Sequence, residues 1–93
     1  MKTIAEQIAD LLGNCKTNFM TVIDLNDIAR SRGAYVDYAT LSYDEDGAPV
    51  ATLLEDGKIP DLVRYTFLDG SAIVAAPACW DIEGSEPWSF AGA

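Results

Sequence analysis

Leu62-Val63-Arg64-Tyr65-Thr66-Phe67-Leu68-Asp69-Gly70-Ser71-Ala72-Ile73-Val74-Ala75 decides the fold. β-Branched and aromatic residues fill the first arm, and such residues suit a pleated, half-buried surface. Asp-Gly between two β-prone runs is the strongest short hairpin signal, because both residues tolerate positive φ. Alternation puts Val63, Tyr65 and Phe67 on the inward face and Arg64 and Thr66 on the outward one. Pro77 ends the second arm, and Cys79-Trp80-Asp81-Ile82 offers a further short strand. A lone hairpin is only marginally stable in water, so its apolar face needs a cover.

Upstream sequence supplies that cover. Thr3-Ile4-Ala5-Glu6 is a capping box, in which each side chain satisfies the other residue's N–H. Ile4, Ile8, Leu11 and Leu12 follow at helical spacing as a core stripe, and Gly13 is a natural stop. Phe19–Ile23 is a short apolar stretch of open type. Asp24 is the expected cap of a second helix, with Leu25, Ile28 and Ala29 on one face. Arg30 and Arg32 suit its last turn, and Gly33 ends it. Ala34–Tyr43 reads as β-prone, and Asp44-Glu45-Asp46-Gly47 as a turn. Ala48–Leu54 fits either an edge strand or a short helix begun by Pro49; the spacing of Val50, Leu53 and Leu54 favours the helix. The expected class is α+β: two N-terminal helices packed on a three- or four-stranded antiparallel sheet. One domain is expected to span 1–93, with a loose tail over 84–93.

Composition bounds the function. The chain has 93 residues, 49% hydrophobic and 23% charged, close to an ordinary globule and unlike a disordered chain. Fifteen Asp and Glu against six Lys and Arg give a net charge of −9. Most of it lies downstream: residues 42–93 hold ten of the acids and only Lys58 and Arg64. Such a surface repels phosphate and anionic membranes and attracts basic partners. No direct contact with nucleic acid or membrane is expected. Glu6 and Asp10 interrupt what would be the apolar stretch of a signal peptide, so a cytoplasmic location is expected.

Catalytic and metal chemistry find little footing. With no His, the commonest general base and metal ligand is missing. Cys15 and Cys79 are too few for a disulfide framework, and at least one is expected in the core. Neither a zinc set nor a Cys–His pair can form. Asp44-Glu45-Asp46-Gly47 fails the calcium-loop pattern, since Gly47 falls at position 4 and Ala48 at position 5. The same acids on a solvated turn lack the split environments that paired catalytic carboxylates need. Residues 24–33 look like the start of a helix-turn-helix, but strand formers follow Gly33 where a reading helix should stand. No enzyme activity and no cofactor are expected.

Arg64-Tyr65-Thr66-Phe67-Leu68-Asp69-Gly70-Ser71-Ala72-Ile73-Val74, followed by Trp80-Asp81-Ile82, resembles a hairpin of small acidic bacteriophage proteins. One anti-CRISPR family carries a similar aromatic-Thr-Phe-x-Asp-x-Ser hairpin on an acidic body that copies DNA. The resemblance implies an inhibitor in the host bacterial cytoplasm that occupies a nucleic-acid-binding surface of a defence complex, such as a CRISPR–Cas complex. Carboxylates on adjacent turns and strand ends can approximate the rows of phosphate charge on DNA, one per about 1.7 Å of axis. The expected partner-binding set is Asp44, Glu45, Asp46, Glu55, Asp56, Asp61, Asp81 and Glu83. The alternative is a small structural or adaptor domain recognised through an apolar patch, without mimicry.

Overall fold

The computed structural model describes residues 1–53 and 60–85, together with the backbone of 89–91. Helices α1 (Ile4–Leu11) and α2 (Phe19–Ser31) precede strands β1 (Tyr35–Tyr43), β2 (Pro49–Leu53), β3 (Leu62–Thr66), β4 (Ala72–Ala76), β5 (Cys79–Ile82) and β6 (Ser89–Ala91). The described strands form one six-stranded sheet in the order β5-β4-β3-β1-β2-β6. The first five pair antiparallel, and β6 joins β2 in parallel. The class is therefore α+β with N-terminal helices, and the sheet is wider than the three or four strands expected. Part of the expected loose tail, Ser89–Ala91, is the added edge strand.

Register explains the two faces. Tyr65 pairs with Val36 and Ile73, Ile73 pairs with Ile82, and Trp80 stands opposite Ala75. These residues, with Phe67 and Val63, point toward the helices and meet Ala5, Ile8, Ala9, Leu25 and Ala29 in the main core. The inward set expected from alternation is thus the core set. The opposite face carries a smaller cluster of Ala39, Ala51, Leu62 and Val74.

Four local expectations are corrected. The α1 core stripe is Ala5, Ile8 and Ala9, with Ile4 and Leu12 packed against it; of the expected stripe only Leu11 is exposed, because small alanines let the helix approach on their side. α2 begins at Phe19 and is capped by the Asn18 side chain, which accepts the Met20 N–H at 2.8 Å. Asp24 therefore lies inside the helix. The β-branched run Thr21-Val22-Ile23 is weak helix former, but burial on the face of Val22, Leu25, Ile28 and Ala29 overrides that preference. Within the stretch Ala48–Leu54, Pro49–Leu53 is strand β2 rather than a helix, and Leu54 lies outside the described residues. Pairing from Ala39↔Leu53 to Tyr43↔Pro49 satisfies the far edge of β1. Pro49 is tolerated because it opens the strand, ahead of Val50–Thr52 where β6 also pairs. Neither cysteine is in the core: Cys15 is exposed and Cys79 half-buried.

The β1–β2 and β3–β4 turns share one construction. Phe67 N–H donates to Ser71 O at 2.8 Å and Gly70 N–H to Phe67 O at 3.0 Å. Asp44 N–H donates to Ala48 O and Gly47 N–H to Asp44 O, each at 3.0 Å. Gly70 at φ 86° and Gly47 at φ 81° take the left-handed position, while the Asp before each keeps negative φ. Each is a three-residue turn closed by glycine; at Asp69-Gly70 this replaces the two-residue turn expected, while Asp44–Gly47 is a turn as expected.

Candidate functional site

The eight acids expected to bind a partner do not gather into one group. Asp44, Glu45 and Asp46 lie in the exposed β1–β2 turn. Asp44 Oδ1 accepts the N–H groups of Asp46 and Ala48, each at 2.9 Å, so its carboxylate shapes the turn. Glu45 and Asp46 project from the tip beside Tyr43, which is 68% exposed.

Asp61 belongs to the sheet. Its N–H donates to Ala39 O at 2.9 Å, and its Oδ2 accepts the Leu41 N–H at 2.8 Å. The carboxylate thus extends the β1–β3 ladder by one bond beyond Leu62. Glu55 and Asp56 lie outside the described residues.

Asp81 and Glu83 are drawn into ion pairs. Lys16 Nζ lies 2.9 Å from Asp81 Oδ1. Arg64 Nη1 reaches Glu83 Oε1 and Nη2 reaches Asp37 Oδ2, both at 3.2 Å. Asp81, Val74, Arg64 and Asp37 stand in one row across the sheet on the face away from the helices. β5 lies three strand steps from β1, or roughly 14 Å at about 4.8 Å per step. Glu83 also sits at the β3–β4 turn end of the sheet, opposite the β1–β2 turn. These two acids are separated from Asp44–Asp46 and are locally neutralised.

Sequence reasoning missed the bases' partners and the role of Asp69. Its Oδ2 accepts the Ile4 N–H at 2.8 Å, and Ser71 Oγ accepts the Ala5 N–H at 3.1 Å. With Thr3 Oγ1 accepting the Glu6 N–H at 3.1 Å, three free N–H groups of the first turn of α1 are satisfied. Ser71 chiefly, then the Ile4 N–H, holds the Asp69 carboxyl below the usual carboxylate range. The fixed Asp-Gly-Ser spacing hints at the turn, but nothing local names a helix 65 positions away.

An open groove of about 320 Å³ runs between α2 and the starts and ends of β3 and β4. Val22, Ile23, Val63, Ala75 and Pro77 give it apolar walls, and Asp61 and Asn26 are its polar members. Asn26 Oδ1 already accepts from Tyr65 OH at 2.8 Å and from Arg30 Nε at 3.0 Å. Among the described residues, no group of three Cys, Asp or Glu is placed to hold a metal ion. No helix among them is long and apolar enough to cross a membrane. The chain matches no family model, no curated protein and no solved structure.

Proposed function

We propose that this chain is a binding protein that engages a basic, nucleic-acid-binding surface of a partner through the β1–β2 turn. One observation carries the reading. Asp44, Glu45 and Asp46 put three carboxylates on one exposed turn, and no Lys or Arg among the described residues pairs with them, whereas Asp81 and Glu83 are held by Lys16 and Arg64. The contact is narrower than the eight-residue set: the turn enters a Lys- and Arg-lined groove in place of phosphate. Tyr43 at its base supplies an aromatic anchor of the kind that dominates interface energetics. The resemblance of residues 64–74 and 80–82 to anti-CRISPR hairpins favours a phage-encoded inhibitor of a host defence complex, with CRISPR–Cas as the partner class. It acts by occupying a surface, with no catalytic residue or cofactor.

The test is capture from bacterial lysate by the immobilised chain, at low and high salt, with elution by duplex DNA. The variant Asp44→Asn/Glu45→Gln/Asp46→Asn removes three charges, while Asn at 44 keeps the acceptor that the turn needs. Bound proteins are expected to be nucleic-acid-binding, to elute with DNA or salt, and to be lost with the variant. Retention indifferent to salt, DNA and the variant would overturn the reading.

A further inference from the structure

We infer that Asp46-Gly47 in the β1–β2 turn is a site of spontaneous isoaspartate formation, and that the matching pair Asp69-Gly70 is protected from it. The reaction needs no enzyme and no oxidant. Gly47 N attacks Asp46 Cγ; a C–N bond forms, and the amide proton and the carboxyl hydroxyl leave as water. A second water then opens the five-membered succinimide. Cleavage at Cγ restores aspartate. Cleavage at the main-chain carbonyl leaves the backbone running through the side chain, one methylene longer. Glycine favours the closure because no Cβ crowds the attacking nitrogen.

The sequence holds a third such pair, Asp56-Gly57, outside the described residues. The two described pairs stand on the same backbone. Both are exposed, each Asp takes the third position of its turn, and Gly47 N–H and Gly70 N–H each donate back across the turn at 3.0 Å. Their side chains differ. Asp69 Oδ2 accepts the Ile4 N–H at 2.8 Å, and its Oδ1 accepts the Ser71 N–H at 3.0 Å and the Ser71 hydroxyl at 2.5 Å. Ring closure at Asp69 has to break these bonds. Ser71 chiefly, then the Ile4 N–H, also favours the ionised carboxyl there, whereas loss of the hydroxyl needs the neutral acid. In the β1–β2 turn the bonded carboxylate is that of Asp44, which accepts the Asp46 and Ala48 N–H groups. Nothing among the described residues donates to the Asp46 carboxylate, so no bond holds it from Gly47. The added methylene falls between the Asp46 and Ala48 N–H groups, so both cannot stay on Asp44 Oδ1 and the acidic turn is remodelled. Only the consequence for a partner rests on the proposed binding role of that turn.

The test incubates the full chain in heavy-oxygen water at neutral pH, native and in guanidinium chloride. Each opening of a succinimide inserts one heavy oxygen, and fragment masses assign the label separately to positions 46, 56 and 69. In the native chain the label at Asp46 is expected to exceed that at Asp69 several-fold, with isoaspartate among the products. In denaturant the two sites should label alike, because both have glycine next and the bonds to Asp69 are gone. Asp46→Glu keeps the charge but cannot close a five-membered ring, so the label at 46 should vanish. Equal labelling of the two sites in the native chain, a difference that persists in denaturant, or label at 46 in Asp46→Glu would overturn the inference. The label is read with no partner present, so its failure leaves the binding role of the turn untouched, and failed capture of a partner leaves the label untouched.

Discussion

The Asp69 carboxylate accepts the Ile4 N–H at 2.8 Å, so the turn of the β3–β4 hairpin caps the first helix. The cap joins the two ends of the core in sequence. Asp69→Ala is expected to lower the melting temperature by roughly 5 °C, the usual scale for a lost helix cap in a domain of this size. Asp69→Asn, which keeps an acceptor oxygen, should recover most of the loss at neutral pH. The sign with pH follows from the lowered folded-state pKa. Stabilisation is complete above the unfolded value of about 4 and fades as pH falls through the lower folded value. Glu6, lowered by its bonds to the Thr3 N–H and then the Thr3 hydroxyl, fades in the same window. Melting curves from pH 6 to 2 should therefore be flatter for Asp69→Asn than for the parent; parallel curves would refute the cap.

Trp80 ties the sheet to the connection between the helices. It is 2% exposed, its Nε1 donates to Cys15 O at 3.0 Å, and its backbone N–H donates to Lys16 O at 2.8 Å. Trp80→Ala opens a cavity under both helices and takes one donor from the Cys15 carbonyl, which keeps the Thr21 hydroxyl at 2.7 Å. The expected cost is about 3–5 kcal/mol. Small domains hold about 5–15 kcal/mol in total, so this variant should unfold at much lower urea. A midpoint shift corresponding to less than about 1 kcal/mol would place Trp80 outside the core.

What could be foreseen follows the range of each interaction. The Thr3–Glu6 box and the alternation of Val63, Tyr65 and Phe67 are local, and both are present in the fold. β2 was misread because Val50 and Leu53 have helical spacing, while their strand conformation depends on the open edge of β1 and on β6. The start of α2 was misread because Asp24 is as good a cap as Asn18, and only burial of Val22 selects between them. The acids of the candidate site were visible as composition. Their sorting was not, since Arg64 meets Asp37 across 27 positions and Lys16 meets Asp81 only once β5 is in place.

Tyr65 is a core residue with a polar tip. Its hydroxyl donates to Asn26 Oδ1 at 2.8 Å. Tyr65→Phe should cost about 1 kcal/mol, the typical net value of such a bond, because Asn26 keeps Arg30 as a donor. Burial raises the Tyr65 pKa, with Arg30 opposing it. A raised folded value means this contribution is present below the unfolded value of about 10 and is lost as pH rises through the folded one. The difference in tyrosinate absorbance between the parent and Tyr65→Phe should rise later than a free tyrosine; a rise at or below pH 10 contradicts it.

Arg64 holds Asp37 and Glu83 together on the outer face of the sheet, with 16% of its own side chain exposed. Exposed ion pairs contribute only about 0–1 kcal/mol each, so Glu83→Gln should have little effect on stability. Removing the guanidinium differs, because two partly buried carboxylates then face each other with no cation between them. Arg64→Leu is expected to cost about 2 kcal/mol, between the exposed and fully buried cases. The repulsion it uncovers is screened by salt. The urea midpoint of Arg64→Leu should therefore rise with sodium chloride more steeply than that of the parent. Equal salt slopes would mean that Asp37 and Glu83 do not depend on Arg64, and the separation of paired acids from the acidic turn would lose its basis.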